Sequence, residues 1–382
     1  MPDTHWNTQT GKPPEYPYIP VAGKHFCTQS SAASLVWILL INAKRLHLDS
    51  LGIKRRQVPA ILKSIIESRH HTISGTLLLP VFGQLCIRVH RGYKVINLST
   101  LTATKVFDPG TIASAASSEI NSVRDAASLD FAPKLIEVDP KSHWYTETFI
   151  PGERSSKTGR SDPASIYKGH IADHLYTMVS SKPVLTRRLV EYFHDIRASI
   201  LQQLIHSQLD GELTTRINTF IESTAAGMES SDDTAIYLAF THGDFSFVNF
   251  LYKENDIAVI DWESAKQRSI LHDLYNYFLT ELYYRRTQSN LLREIDDAIS
   301  MLSQRLAATD SELASNMVAF KDVYRWIYYL ERMHTLLDRE PSTVQTNVIG
   351  KSIDVFEKHE SYASSYNANA LSIMRSCAYN QP

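Results

Sequence analysis

A change of texture part-way along the chain constrains the fold more than any other feature. Leu77 to Phe107 is rich in β-branched and aromatic residues, the pattern of strands. From about Pro163 onward, apolar residues recur mostly at helical spacing. Strands are expected at Gln84–His90, Tyr93–Leu98, Thr102–Phe107, Lys134–Val138 and Trp144–Phe149, with a helix between Ser114 and Leu129. Arg91-Gly92 and Asp139-Pro140 supply tight turns. Helices are expected over 164–180, 184–207, 211–224, 269–285, 288–307, 310–338 and 343–359. Three short strand-like pieces interrupt them: Ala235–Phe240, Phe250–Lys253 and Ile257–Ile260. The order predicts an α+β chain of two lobes, and a cleft at a lobe interface is a common ligand site.

Upstream, residues 1–25 are rich in proline and polar groups and read as extended on the surface, and 28–70 reads as helical. The expected organisation is a helical extension over 1–75, a β-rich lobe over 76–150, a helical lobe over 151–362 and a tail over 363–382. The most apolar run, Ala32 to Ala43, is shorter than the roughly 20 residues that span a bilayer. It reads as a buried helix, not as a transmembrane segment or signal peptide. The 39 basic and 41 acidic side chains give a net charge of −2, which offers no global field for nucleic acid. The three cysteines, Cys27, Cys86 and Cys377, are far apart and odd in number, as expected of a reduced, cytoplasmic protein.

Three polar residues carry the chemistry. Asp244 follows the strand Ala235–Phe240, Asn249 lies five residues later, and Asp261 follows the apolar piece Ile257–Ile260. A hairpin turning near Lys253 to Asp256 sets Asn249 beside Asp261. Oxygen ligands on short turns suit Mg²⁺, which keeps phosphates and water as its other ligands. A plain turn at Gly243-Asp244 and a helix cap at Asp261 are the ordinary alternatives.

His242-Gly243-Asp244-Phe245 with Asn249, then Ile260-Asp261-Trp262-Glu263, then Asp273-Leu274, resembles the aminoglycoside phosphotransferase and choline kinase superfamily. The resemblance implies a two-lobed protein-kinase-like fold and transfer of a phosphate from ATP, with Mg²⁺, to a hydroxyl of a small molecule, either a sugar, glycan or amino alcohol. It makes Asp244 the catalytic base, His242 a brace of the loop, Asn249 and Asp261 the metal ligands, and Asp273 a support from a helix. Glu263 stays open between a second metal, a basic partner and the substrate. In the upstream lobe, Lys105 on an alternating strand and Glu119 on the next helix are the expected phosphate-binding pair. The hinge backbone from Glu147 to Phe149 is the expected adenine contact. A protein acceptor and a non-catalytic scaffold are the competing readings. No activation segment follows Asp261, and the joint presence of Lys105, Asp244, Asn249 and Asp261 speaks against a scaffold.

One departure concerns the phosphates. The strand hairpin has a single glycine, Gly92, where protein kinases carry a glycine-rich loop. Arg91 and Lys94 are candidates to replace its N–H groups, with solvated turn charges as the expected reading. The rings of Tyr324, Trp326, Tyr328 and Tyr329 recur at helical spacing, which is ordinarily a core pattern.

Overall fold

The computed structural model describes residues 15–22, 25–28, 77–141, 143–154, 170–207, 209–228, 234–253, 256–285, 291–338, 346–361 and 363. The chain forms two compact units, one of residues 1–160 with 248–265, the other of 161–247 with 266–382. The first is strand-rich and the second mainly helical, the α+β order of two units expected from the sequence.

The first unit is built on an antiparallel sheet of eight strands. In chain order these are β1 (Tyr16–Ala22), β2 (His25–Thr28), β3 (Leu77–Leu79), β4 (Leu85–Val89), β5 (Gly92–Asn97), β6 (Thr102–Phe107), β7 (Leu135–Val138) and β8 (Trp144–Thr148). Their order across the sheet is β3-β1-β2-β4-β5-β6-β8-β7. The five strands expected from the sequence are all present, and β6 has the expected ends. Helix α1 (Ala113–Ala126) buries Ala116, Ile120 and Val123 at i, i+4 and i+7, a single apolar face.

The start of the chain differs from expectation. Residues 16–22 are not an extended surface segment, because β1 pairs with both β2 and β3. Tyr18 is fully buried against Leu79, Cys86, Val95 and Val106, and its hydroxyl donates to Val81 O at 2.9 Å. Burying an aromatic side chain of this size contributes about 2 kcal/mol, which outweighs the polar composition around it. The helical reading of 28–70 and the tail over 363–382 lie outside the described residues, apart from Thr28 and Ala363.

A hairpin of β12 (Phe250–Lys253) and β13 (Asp256–Val259) follows later in the chain and pairs with β9 (Glu153–Arg154). It groups with the first unit, not with the helical residues that flank it in sequence. Val259 N–H donates to Phe131 O at 2.8 Å, Ser122 Oγ donates to Ala265 O at 2.6 Å, and the rings of Phe131 and Trp262 lie 6.0 Å apart.

The second unit holds a sheet of β10 (Leu185–Arg188), β11 (Ala235–Thr241) and β14 (Lys266–Ser269) in that order. Its helices are α2 (Ala172–Ser180), α3 (Leu189–His206), α4 (Gly211–Met228), α5 (His272–Arg285), α6 (Leu291–Leu306), α7 (Ser311–Ala319) and α8 (Lys321–Leu337), and 346–361 is helical too. Two expectations are corrected. The helix expected over 184–207 begins as a strand, since β10 pairs with β11 and only then does Leu189 open α3. The helix expected over 310–338 breaks at Phe320 into α7 and α8. On α8, Tyr324, Tyr328 and Tyr329 are buried, so the ring pattern is core. Among the described residues, no helix is long and apolar enough to cross a membrane.

Candidate active site

In the first unit, strand registry assembles a charged face. Lys94 on β5 stands opposite Lys105 on β6, and Lys105 opposite Tyr145 on β8. Glu147 lies two residues beyond Tyr145, which puts it on the same side of the sheet. Lys105 and Glu119 are both almost fully buried, with Nζ to Oε1 at 3.1 Å. The expected strand-lysine and helix-glutamate pair therefore forms. Tyr145 donates its hydroxyl to Glu119 at 3.1 Å. Burial pushes the Glu119 carboxyl up and Lys105 pulls it back, with the net above the ordinary value.

Glu263 approaches Lys105 Nζ to 3.3 Å, so a basic partner is within its reach. Lys94 binds Glu147 at 2.8 Å and reaches Asp261 at 3.6 Å. Burial opposes the charge on Lys94, but Glu147 and Asp261 win and hold it more firmly protonated than an ordinary lysine. Lys94, Lys105, Tyr145, Glu147, Asp261 and Glu263 line one pocket. Sequence reading gave Lys94 as a solvated turn charge. Its side chain is only 22% exposed, because the turn is His90-Arg91 and Lys94 lies inside the strand.

The hairpin brings the two expected metal ligands to neighbouring chain ends. Phe250 pairs with Val259, and Ile260 N–H donates to Asn249 O at 3.0 Å just beyond that pair. Asn249 is buried, whereas Asp261 is 48% exposed and sits in the left-handed region with φ 65° and ψ 53°. Both offer oxygen donors, and that donor set fits a hard divalent cation such as Mg²⁺. At the expected hinge, two backbone donors are already engaged. Thr148 N–H donates to Lys134 O and Phe149 N–H to Leu101 O, both inside the protein. Glu147 spends its side chain on Lys94, and Phe149 is buried.

In the second unit, the catalytic-loop candidate is a turn held from a helix. Asp273, in the first turn of α5, accepts from the N–H groups of His242 at 2.6 Å and Gly243 at 2.9 Å. His242 Nδ1 in turn accepts from Asp244 N–H at 3.1 Å. Gly243 has φ +84°, and a Cβ there would lie 2.4 Å from the Arg268 guanidinium. Glycine is required for both reasons. Beneath the turn, Arg268 donates to Thr241 Oγ1 at 3.1 Å. Burial lowers the Arg268 pKa, and Glu331 and Asp273 partly restore it.

Glu331 on α8 accepts from Ser269 N–H and Oγ, from the Tyr192 hydroxyl, and lies 2.7 Å from His272 Nδ1. Burial works to raise the Glu331 carboxyl, but His272 and these donors prevail and hold it down at about 2. Asp244 itself meets Arg332, the next residue of α8, at 3.1 Å. That contact spans 88 residues of chain, so no local motif announces it.

Comparison with known proteins bears on this arrangement. The ecdysteroid kinase-like family model matches residues 164–311. The match covers less than half of the chain but contains His242, Asp244, Asn249, Asp261 and Asp273. It agrees with the kinase resemblance carried by those motifs. No curated protein matches. The chain is similar to solved structures at low identity. A choline kinase from Cryptosporidium parvum Iowa II matches at 15% identity and TM-score 0.48, covering 77% of this chain and 89% of that one. Choline kinase LicA from Streptococcus pneumoniae matches at 17% identity and TM-score 0.47, covering 79% and 99%. An aminoglycoside phosphotransferase from Streptomyces rimosus matches at 18% identity and TM-score 0.41, covering 65% and 92%.

Proposed function

We propose that this chain moves the γ-phosphate of ATP, with Mg²⁺, to a hydroxyl of a small-molecule acceptor, with Asp244 as the base. The observation that carries this reading is the double acceptance by Asp273. A turn whose N–H groups at positions 242 and 243 end on one buried carboxylate presents the next side chain, Asp244, in a fixed direction. Phosphoryl transfer depends on such positioning more than on covalent chemistry.

Each residue then has a task. Asp244 orients the acceptor hydroxyl and takes its proton. His242 keeps the turn closed through its Nδ1. Lys105, held by Glu119, binds phosphate oxygens as a compact point charge. Asn249 and Asp261 hold the metal, which when bound neutralises phosphate charge. Adenine hydrogen bonds come from backbone other than the Thr148 and Phe149 N–H groups, which are already engaged. The matched description, ecdysteroid kinase-like, adds a steroid alcohol to the sugar, glycan and amino-alcohol acceptors.

The test is transfer of radiolabelled phosphate from ATP to a panel of sugars, amino alcohols, aminoglycosides and steroid alcohols. Wild type phosphorylates at least one class, and Asp244→Asn loses about 10²- to 10⁴-fold in turnover. Full turnover by Asp244→Asn, or no binding of Mg·ATP by wild type, would sink the proposal.

A further inference from the structure

Lys94 and Lys105 are directly opposed across β5 and β6. Two like charges on one face of a sheet ordinarily destabilise it. Here four carboxylates offset them: Glu119 and Glu263 at Lys105, Glu147 and Asp261 at Lys94. The two lysines are not equivalent. Lys105 has a side chain only 3% exposed, while Lys94 is 22% exposed and its outer contact, Asp261, is 48% exposed. The Lys94–Glu147 bond at 2.8 Å is tight, and the Lys94–Asp261 separation of 3.6 Å is beyond a hydrogen bond. Lys94 thus has a firm inner anchor and a loose outer contact.

The hairpin above it is short for wrapping a polyphosphate in backbone N–H groups. Its turn is two residues long, since Val89 pairs with Gly92. Gly92 serves the sheet, because a Cβ there would lie 2.0 Å from Val106 O. Arg91 O accepts from Asp108 N–H, and Arg88 binds Asp108 through both guanidinium nitrogens. These bonds tie the turn to the segment after β6.

We propose that Lys94 is a second ligand for the phosphates of a nucleoside triphosphate, a side-chain ammonium in place of a glycine-rich cradle. The inference rests on the phosphotransferase reading. An ammonium carries three donors. Glu147 engages one, and Lys94 lines the same pocket as Lys105, Asp261 and Glu263.

The experiment is calorimetric binding of the Mg²⁺ complex of the β,γ-imido analogue of ATP, and of adenosine, to wild type, Lys94→Gln, Lys94→Arg and the Lys94→Gln/Glu147→Gln double variant. One charge-assisted contact corresponds to about 10- to 100-fold in affinity. Lys94→Gln should weaken the triphosphate analogue by that factor, leave adenosine within about twofold, and be largely rescued by arginine. The double variant, which removes the Glu147 carboxylate together with the lysine it anchors, should show the same triphosphate-selective loss if Lys94→Gln alone does not fold. Equal weakening of both ligands, or unchanged binding of the analogue, overturns the inference while the functional reading stands. Failure of wild type to bind the analogue overturns both.

Discussion

Replacing Asp273 by asparagine probes the support of the catalytic turn directly. The carboxylate is 2% exposed and accepts two backbone N–H groups, one per oxygen. Asparagine keeps one oxygen and sets an NH₂ against the other N–H, so one charge-assisted bond is lost and two donors face each other. A bond to a charged group is worth about 1.5–3 kcal/mol. Asp273 also helps to balance the buried Arg268, so the expected loss is about 2–4 kcal/mol, concentrated at the turn. Hydrogen exchange followed residue by residue is the assay. The His242 and Gly243 amides should exchange about 30- to 1,000-fold faster, from the same energies, while amides of the β4–β5 hairpin stay unchanged. Phosphate transfer should fall with them. Wild-type exchange at both amides in Asp273→Asn would mean that the carboxylate is not what holds the turn.

Gly243→Ala should cost about 2–4 kcal/mol in urea unfolding, since it combines a positive φ with contact against Arg268. Stability should also fall in acid, for two reasons. Glu331 is held at about 2 against an ordinary 4.5, so its contribution is complete above pH 4.5 and disappears as pH drops toward 2. His359 is buried as the neutral ring by desolvation and Arg325, down to about 3 from 6.5. Its unfolded form gains a proton first, so stability declines from pH 6.5 toward 3. Thermal melts from pH 7 to 3 should show the decline, and Glu331→Gln should flatten its lower part. Arg332→Gln should change stability by less than about 1 kcal/mol, because the pair with Asp244 is partly solvated, yet lower turnover at least tenfold. Equal turnover in the variant removes Arg332 from the orientation of Asp244.

Legibility in the sequence followed the range of the interaction. The hairpin that sets Asn249 near Asp261 was readable because its strands adjoin in sequence, and the turn at His242-Gly243-Asp244 because its own residues are consecutive, although Asp273, which holds it, lies farther along the chain. Lys105 and Glu119 were readable because a strand lysine followed by a helix glutamate is a recurring pair. Lys94 was misread because its environment depends on the register of three strands, which alternation within one strand does not reveal. Strand β14 was missed for another reason. Lys266-Gln267-Arg268-Ser269 has no apolar alternation, and its burial comes from pairing with β11 and from Glu331, which accepts from Ser269. The strand at 185–188 lies inside the helix expected over 184–207 because Leu185-Thr186-Arg187-Arg188 has no apolar alternation and its strand state comes from pairing with β11.

The left-handed backbone at Asp261 has a consequence for how that residue is interrogated. Residues with a Cβ occupy this region at a cost of about 1 kcal/mol or more, and asparagine and aspartate tolerate it better than others. An alanine at 261 would therefore remove a carboxylate and burden the chain in one step, and its effect on phosphate transfer would blend the two. Asparagine leaves the peptide geometry near its resting state, takes away the negative charge and puts an NH₂ in place of one oxygen. Glycine relaxes the peptide and takes away the whole side chain. The three substitutions together separate the electrostatic share of Asp261 from its conformational share.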